Sequence, residues 1–184
     1  MDLEQAVLER RSVRRFNSDP VSEEDVRSIL EAARWAPSWA NTQCWRFVVV
    51  RDPQVREALA GTLTPTNRGM DALRKAPVAI AVCAELGRAG FKQGQATTDK
   101  GDWFMFDCGL AVQNMVLAAH SLGLGTVIIG LMDAKGAAKV LMLPDNIAFV
   151  ALMPLGHPDH RPIAPPRKEL SDLVYYDRYG NPAR

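Results

Sequence analysis

The chain has 184 residues, of which 47% are apolar and 23% are charged, and its formal net charge at pH 7 is +1. This composition is that of an ordinary globular domain, and the balanced charge argues against general affinity for nucleic acid or membrane surfaces. No apolar run approaches the roughly 18 residues that span a bilayer, and the acidic start has no secretory apolar region. We therefore expect one cytoplasmic domain over residues 1–184.

Spacing and capping residues predict the elements of the first half of the chain. Apolar residues at helical spacing indicate a short helix over residues 3–9. Ser22 and the three acidic residues after it predict the start of a second helix, which Pro37 ends. The remaining predictions for this half are a loop over 37–45, strands over 46–51 and 77–84, a helix over 55–63 and a loop over 64–71.

The second half begins with a long polar, glycine-rich segment, residues 85–102, that has no clear periodicity. A loop of this length in a compact domain is typically a lid, a binding loop or a disordered segment. The most apolar helix is then predicted over residues 104–122, where Gly123 and Gly125 are placed to end it. The remaining predictions are strands over 126–130 and 147–155, a helix over 134–143 and a proline-rich, charged arm over 159–184.

Small and polar residues form one stripe along the long helix and permit the close approach of a second helix. The stripe consists of Asp107, Ala111, Asn114, Ala118 and Ser121. The approaching helix can belong to the same chain or to a second copy. Taken together with an arm that does not pack on its own core, the stripe favours a homodimer.

Cysteine and histidine show no catalytic or metal-binding pattern. The three cysteines are far apart, without a CxxC pair, and we expect buried, reduced thiols: Cys44, Cys83 and Cys108. The three histidines lack the paired spacing of a closed zinc site: His120, His157 and His160. We therefore predict no metal site.

The most distinctive segment is residues 10–15, where four arginines and a serine occupy five of six positions. Guanidinium groups present planar, forked donors that match a phosphate, and a hydroxyl adds a short-range donor and acceptor. The segment alone permits two interpretations. It is either a solvated basic turn at a helix end or a site for a bound anion.

Four blocks of the sequence, in order, resemble the FMN-dependent nitroreductase family. They are RRSVRRF at 10–16, APSWANTQCWRF at 36–47, LAAHSLGLGTVIIGLMD at 117–133, and LMPLGHP at 152–158 followed by PPRKEL at 165–170. The resemblance implies an α+β fold, an α/β/α sandwich around a central, mostly antiparallel sheet. It further implies an intertwined homodimer with two FMN sites at the subunit interface, each arm over 159–184 reaching the partner subunit.

The resemblance also implies which residues bind the cofactor. In the first block and the arm, the expected contacts to the FMN phosphate and the pyrimidine edge are Arg10, Arg11, Ser12, Arg14 and Arg167. In the second block, which would face the partner subunit's flavin, they are Pro37, Ser38, Trp39 and Asn41. In the third block, where family members present a backbone N–H to flavin N5 and O4, they are Ile128, Gly130 and Leu131.

Some of these positions have alternative interpretations. Arg14 and Arg167 could form ion pairs with nearby carboxylates such as Asp19 and Glu169, and Gly130 could mark a plain strand-end turn. Trp39 stands where the family more often has a small polar residue, so it could narrow the substrate cavity or pack at the interface. Asn67 is left out of the predicted site because its spacing to the following strand does not match the family.

The resemblance implies an FMN-dependent oxidoreductase that moves hydride from NADH or NADPH through flavin N5 to a nitroaromatic, quinone or enone. Because the flavin performs the chemistry, no catalytic side chain is predicted. One alternative is a specialised flavin enzyme of the same superfamily that dehalogenates, fragments the flavin or oxidises a heterocycle. Another is a flavin- or nucleic-acid-binding module without activity. The expected partners are a small-molecule acceptor and a second copy of the chain, with no nucleic acid and no membrane.

Overall fold

The structure is a computed structural model that describes residues 1–181. Its helices are α1 (Leu3–Glu9), α2 (Glu23–Arg34), α3 (Pro53–Ala60), α4 (Met70–Lys75), α5 (Phe104–Ser121) and α6 (Ala134–Val140). Its strands are β1 (Trp45–Val50), β2 (Val78–Glu85), β3 (Phe91–Lys92), β4 (Gln95–Ala96), β5 (Gly125–Thr126) and β6 (Ile147–Gly156). Short 3-10 turns occur at Trp39–Asn41 and Leu170–Asp172. The last three residues of the predicted arm, 182–184, lie outside the described residues.

A central sheet in the order β1-β2-β6-β5, with every pair antiparallel, separates two helical layers. Successive side chains of a strand point to opposite faces, and on β2 both sets are buried. Val78, Ile80 and Val82 pack in the core formed with α2 and α5, whereas Ala79 and Ala81 pack in the core formed with α3, α4 and α6. The predicted α/β/α sandwich with a mostly antiparallel sheet is confirmed.

Local capping signals explain where the helices begin. The N–H of Asp25 donates to Ser22 Oγ over 3.0 Å, so α2 begins as predicted. Helix α3 begins at residue 53, two residues earlier than predicted, because Asp52 accepts a hydrogen bond from the N–H of Gln54 and Pro53 occupies the first helical position. A proline there loses no intrahelical hydrogen bond.

The strand predicted over residues 126–130 is shorter than expected and begins one residue earlier. Strand β5 contains only Gly125–Thr126, and pairing with β6 resumes as an isolated bridge between Ile129 and Leu152. The same register would place Val127 opposite Pro154. A proline has no N–H to donate to the ladder, so the pairing is interrupted and residues 127–128 leave the sheet.

The segment 85–102 is an ordered loop that closes on itself, which we call the hairpin loop. Its strands β3 and β4 are joined by Gln93 and Gly94, whose φ values of 50° and 76° suit a two-residue hairpin turn. The N–H of Gly87 donates to Asp102 Oδ2 over 2.7 Å and ties the ends of the loop together. Among the predicted alternatives, the structure therefore favours a structured loop over a disordered one.

The stripe of small residues on α5 faces a helix of the same chain. Asn114 Nδ2 donates to the carbonyl oxygen of Ala32 in α2 over 3.0 Å, and Ala111 is buried in the core that α2 and α5 share. The argument from this stripe to a homodimer is therefore wrong: the close helical neighbour is internal. No helix within residues 1–181 combines the length and apolarity needed to cross a membrane.

Candidate functional site

Apart from Arg167 in the arm, the predicted site residues fall into two regions. We call residues 10–14 and 126–131 the basic edge, and residues 37–43 the aromatic loop. Asp107, near the start of α5, contacts the aromatic loop, whereas His120, near its end, lines the same cavity as Arg10. At 1.5 Å per residue these two positions are about 20 Å apart along the helix axis.

The basic edge is held in place by pairing of the arginine segment with β5. Ser12 forms a parallel bridge with Thr126, and the N–H of Val13 donates to the carbonyl oxygen of Thr126 over 2.8 Å. Gly125 makes this approach possible, because a Cβ at that position would lie 2.7 Å from the Cβ of Val13. The arginine segment is thus an extended chain fixed at the edge of the sheet, and it is not a solvated turn.

Arg10 and Arg11 line a cavity of about 500 Å³ together with His120, Thr126 and Arg161. Arg11 already has internal partners, since its guanidinium donates to the carbonyl oxygens of Leu8 and Arg10 over 2.6 and 2.8 Å. A basic group at a helix C-terminus satisfies carbonyls that lack intrahelical partners. Part of the positive charge in the predicted cluster therefore serves to end α1.

The structure brings Arg167 of the arm close to the basic edge. Burial lowers the pKa of the Arg10 guanidinium from its ordinary value, and the neighbouring charges of Arg11 and then Arg167 lower it further. Such crowding of like charges is unfavourable unless an anion neutralises it. The arrangement fits a phosphate at this place.

The alternative ion pairs for Arg14 and Arg167 are not formed. Within residues 1–181 neither side chain takes part in an ion pair, and Asp19 instead accepts a hydrogen bond from Asn17 Nδ2 over 2.7 Å. Both guanidiniums are therefore available to a ligand.

A groove of about 350 Å³ extends from Arg14 along the backbone of residues 127–131. Its floor includes Gly130, where an added Cβ would meet no atom within 4 Å and where φ is outside the left-handed region. Neither packing nor backbone conformation within the chain requires glycine at this position. The open space over Gly130 instead suits a flat ligand that lies close to the backbone.

Asn67 also lines this groove, although the sequence analysis left it out. Its Nδ2 donates to the carbonyl oxygen of Leu131 over 2.7 Å, and its Oδ1 accepts from the N–H of Gly69 over 2.8 Å. Asn67 therefore holds the segment after Gly130 against the turn before α4. The available signal was the Asn-Arg-Gly turn composition, which marks a hydrogen-bonded turn without showing what it contacts.

The aromatic loop is a strained turn. Ala40, Asn41 and Gln43 have φ values of 43°, 56° and 48°, a left-handed region that side chains rarely adopt. Ser38 Oγ accepts a hydrogen bond from the N–H of Gln43 over 3.0 Å, and Gln43 Nε2 donates to Asn41 Oδ1 over 3.2 Å. Strain of this kind persists where surrounding contacts impose it, commonly at ligand sites.

The contact that holds the aromatic loop comes from Asp107. Its two carboxylate oxygens accept the N–H of Trp39 over 3.1 and 3.0 Å, and Cys44 Sγ lies 3.7 Å from Oδ2. Asp107 is 1% exposed, and this burial raises its pKa, while the hydrogen bonds from Trp39 and Cys44 act in the opposite direction. The hydrogen bond to the backbone N–H of Trp39 compensates part of the cost of burying the carboxylate, and it fixes this part of the loop.

The cysteines are free and buried, as expected. Burial raises the pKa of the Cys83 thiol to about 11, and a hydrogen bond with Cys44, together with burial, raises that of Cys108. Thiols with raised pKa values are poor nucleophiles at neutral pH. Within residues 1–181 no group of three or more His, Cys, Asp or Glu side chains is arranged to hold a metal ion.

The fold is that of a known family. The nitroreductase family model matches residues 7–157. The chain is 34% identical over 169 residues to a protein of Methanothermobacter thermautotrophicus that carries the name NADH dehydrogenase/NAD(P)H nitroreductase, with 88% of this chain and 80% of the relative covered. The chain belongs to the nitroreductase family.

Two further comparisons bear on the site. The chain is 34% identical over 192 residues to a 5,6-dimethylbenzimidazole synthase of Rhodospirillum rubrum, covering 94% of this chain and 88% of the relative. The solved structure of a nitroreductase-type protein from Desulfovibrio desulfuricans in complex with FMN superimposes with a TM-score of 0.77 at 34% identity, covering 96% of each chain. The resemblance stated from the sequence is confirmed.

Proposed function

We propose that this chain is an FMN-dependent oxidoreductase that takes electrons from NADH or NADPH and passes them to an electron-poor small molecule. The observation that carries the proposal is that Arg10, Arg14 and Arg167 form no ion pair among residues 1–181 and that Arg14 lines the open groove over Gly130. The family membership and the FMN complex of a relative support the same cofactor.

The basic edge, together with Arg167 of the arm, would contact each part of FMN. Arg10, Ser12 and Arg167 would hold the phosphate, because charge-assisted hydrogen bonds from guanidiniums are strong. Arg14 would reach the pyrimidine edge, and the backbone from Ile128 to Leu131 would lie along the ring. Bound FMN supplies hydride transfer at its N5 atom. The chain's own contribution is to position the ring and to neutralise its phosphate, and no side chain is required as an acid or base.

The nicotinamide cosubstrate would bind only transiently. The sequence contains no glycine fingerprint for a dinucleotide-binding fold, and the groove remains open to solvent above Gly130. We therefore infer that NADH or NADPH docks on the exposed face of the flavin and leaves before the acceptor arrives. A nitroaromatic, a quinone or an enone would then occupy the same face.

The two regions of the site would be completed by a second copy of the chain. Within one chain the aromatic loop lies away from the cavity beside Arg10, because the residues of α5 that contact the loop and line the cavity are about 20 Å apart. Large apolar side chains are exposed on α1, α5 and the arm, as expected for surfaces that a subunit partner covers: Leu3, Val7, Leu8, Met105, Phe106, Ile163, Leu170 and Tyr179. We propose a homodimer in which residues 37–41 face the partner subunit's flavin and each arm covers the other subunit.

The test is a spectrum of the purified protein after addition of FMN and removal of the unbound excess. We expect the flavin absorbance bands to stay with the protein, to bleach on anaerobic titration with NADH or NADPH, and to return on addition of a quinone or nitroaromatic. Protein that retains no flavin after this treatment would contradict the proposal. Comparing the two titrations also gives the coenzyme preference.

A second candidate function is fragmentation of the flavin itself. It is favoured by the similarity to the 5,6-dimethylbenzimidazole synthase, whose named product contains the dimethylbenzene ring that flavins also carry. Incubation of reduced FMN with the protein under oxygen, followed by mass spectrometry, distinguishes the two. Formation of 5,6-dimethylbenzimidazole would replace the reductase proposal, whereas simple reoxidation of FMN would exclude fragmentation.

A further inference from the structure

Two histidines line the cavity of about 500 Å³ beside Arg10, and each has a buried ring nitrogen. His120 lies in the last turn of α5, and His160 lies in the arm. Within residues 1–181, the buried Nε2 of His120 and the buried Nδ1 of His160 have no hydrogen-bond partner. A buried polar atom without a partner is unfavourable unless a bound group satisfies it. The two nitrogens therefore indicate a ligand with hydrogen-bonding atoms.

Backbone contacts bring both histidines to the arginine segment. Gly123, whose φ is 77°, turns the chain at the end of α5 and leads it into β5, where Thr126 bridges Ser12. At the start of the arm, the N–H of Asp159 donates to the carbonyl oxygen of Arg15 over 3.1 Å. The end of α5 and the first residues of the arm are thus both fixed beside residues 10–15, and they line one cavity.

The other charged side chains of this cavity are mostly cationic. Arg10 and Arg11 follow α1, Arg161 belongs to the arm, and the carboxylate comes from Glu9, the last residue of α1. Glu9 forms no ion pair within residues 1–181. Three guanidiniums facing a single carboxylate leave the cavity with an excess of positive charge, which attracts an anion.

The charge state of His120 depends on what the cavity holds. Burial lowers the pKa of His120 from its ordinary value, the carboxylate of Glu9 acts in the opposite direction, and the three guanidiniums lower the pKa further. An anion in the cavity would reverse this effect, because a nearby opposite charge favours the cationic form of a histidine. Binding of an anion and protonation of His120 are therefore coupled, and each strengthens the other.

We propose that His120 and His160 hold the phosphate of FMN together with Arg10, and that protonation of the two imidazoles makes the affinity for FMN depend on pH. The proposal rests on the proposed function, in which the phosphate lies at Arg10. A protonated imidazole donates through both ring nitrogens, and its charge-assisted hydrogen bond to a phosphate is roughly twice as strong as a neutral one. Riboflavin, which is FMN without its phosphate, gains nothing from either histidine.

The experiment measures the Kd of FMN and the Kd of riboflavin by quenching of flavin fluorescence, in a buffer without phosphate. The range is about pH 8 to about pH 6.5, where FMN is largely a dianion because the second pKa of its phosphate is about 6. We expect the ratio of the riboflavin Kd to the FMN Kd to rise about three- to tenfold as the pH falls, because each protonated imidazole strengthens the hold on the phosphate. A ratio that stays constant or falls would overturn the proposal.

The double variant His120→Gln with His160→Gln keeps polar side chains but removes both titrating groups. Its ratio should no longer change with pH. The matched control is His157→Gln, because His157 lies outside the lining of the cavity and its Nε2 is 3.3 Å from the carbonyl oxygen of Pro20. This control should keep the wild-type pH dependence. The wild-type pH dependence in the double variant, or its loss in His157→Gln, would contradict the proposal.

A second measurement uses the unaltered protein and needs no variant to fold. Calorimetric titration near pH 7, in two buffers with different enthalpies of ionisation, gives the number of protons that bind together with the ligand. We expect net proton uptake with FMN and none with riboflavin. Proton release with FMN, or no exchange, would overturn the role of the histidines. The reductase function has a separate readout, the bleaching of bound FMN by NADH or NADPH.

Discussion

The basic edge and the aromatic loop are built on opposite physical principles. The basic edge is extended backbone held by single bridges, and among residues 1–181 its arginines form no ion pair with a carboxylate. The aromatic loop is irregular backbone with three left-handed residues, held by a buried carboxylate. In the basic edge the backbone geometry serves to present positive charges, whereas in the aromatic loop the buried charge of Asp107 serves to hold the backbone geometry.

On the proposed function, neither region is a complete binding site by itself. The basic edge supplies donors for an anion and an open floor at Gly130 but no cover. The aromatic loop supplies the indole ring of Trp39 and a fixed backbone but no cationic group that would hold a phosphate. Helix α5 keeps the two apart, and therefore two copies of the chain would be needed to combine them. The following experiments test this division of roles.

The largest expected effect is recovery of activity in a mixed dimer. Arg10→Ala damages the basic edge and Asn41→Ala damages the aromatic loop. If each site combines the two regions from different copies, a heterodimer isolated through two different tags carries one doubly damaged site and one intact site. At an FMN concentration near the wild-type Kd we expect about half the wild-type turnover per dimer, while each variant homodimer stays well below that value. A heterodimer no more active than its parents would contradict the shared site.

The next effect concerns cofactor affinity. Arg10→Ala should raise the Kd of FMN about 10- to 100-fold, because a hydrogen bond to a charged group contributes about 1.5–3 kcal/mol. Quenching of FMN fluorescence on titration measures this. Arg15→Ala is the control, since Arg15 is exposed and falls outside the predicted contacts. An equal loss of FMN affinity in Arg15→Ala would mean that the arginines attract FMN only through their general positive charge and that Arg10 makes no specific contact.

Asp107 allows a test of the aromatic loop through stability. Asp107→Ala leaves the N–H of Trp39 without its acceptor, which should lower the free energy of unfolding by about 1–3 kcal/mol in a denaturant titration. Asp107→Asn keeps an oxygen acceptor for this N–H and should lower the free energy of unfolding by less than Asp107→Ala. Asp99→Ala, at an exposed residue of the hairpin loop, should change stability by less than about 0.5 kcal/mol. Equal changes in the free energy of unfolding for Asp107→Ala and Asp99→Ala would contradict the inference that the buried carboxylate holds the aromatic loop.

The smallest effect is a pH dependence from the same carboxylate. Burial raises the pKa of Asp107 in the folded chain, so between its ordinary value of about 3.9 and the raised value the folded state binds more protons than the unfolded state. The stability of the wild type relative to Asp107→Asn should therefore fall as pH rises through this window and then level off. Paired thermal melts across the window measure the difference. A relative stability that increases with pH would show that the carboxylate is stabilised in its charged form.

Local signals in the sequence were sufficient for most of the fold. Ser22 predicted the start of α2, and the apolar run of β2 predicted a strand buried on both faces. These predictions depend on neighbours within a few residues. The extent of β5 did not follow in this way, because it depends on Pro154, which lies opposite Val127 only once the register with β6 is known.

The residues of the candidate site also divide into those that the sequence predicted and those that only the fold revealed. The arginine run and the four ordered blocks pointed to a bound phosphate and to the family, because residue types and spacing carry that chemistry. Asn67 and Asp107 were not assigned a place in the site, since both act on backbone atoms about 64 to 68 positions away. The stripe on α5 was read in two ways, and only the contact with α2 decided between them.

The sequence by itself determined the family, the type of group that the chain can hold and the order of most elements, whereas α4, β3 and β4 were not predicted. These follow from local propensity, periodicity and side-chain chemistry. The tertiary structure decided that Arg11 ends α1 and that Arg14 and Arg167 form no ion pair among residues 1–181. It also decided that the aromatic loop and the cavity beside Arg10 lie at opposite ends of one helix. The physical reason is that pairing, burial and charge neutralisation depend on which distant residues the fold brings together.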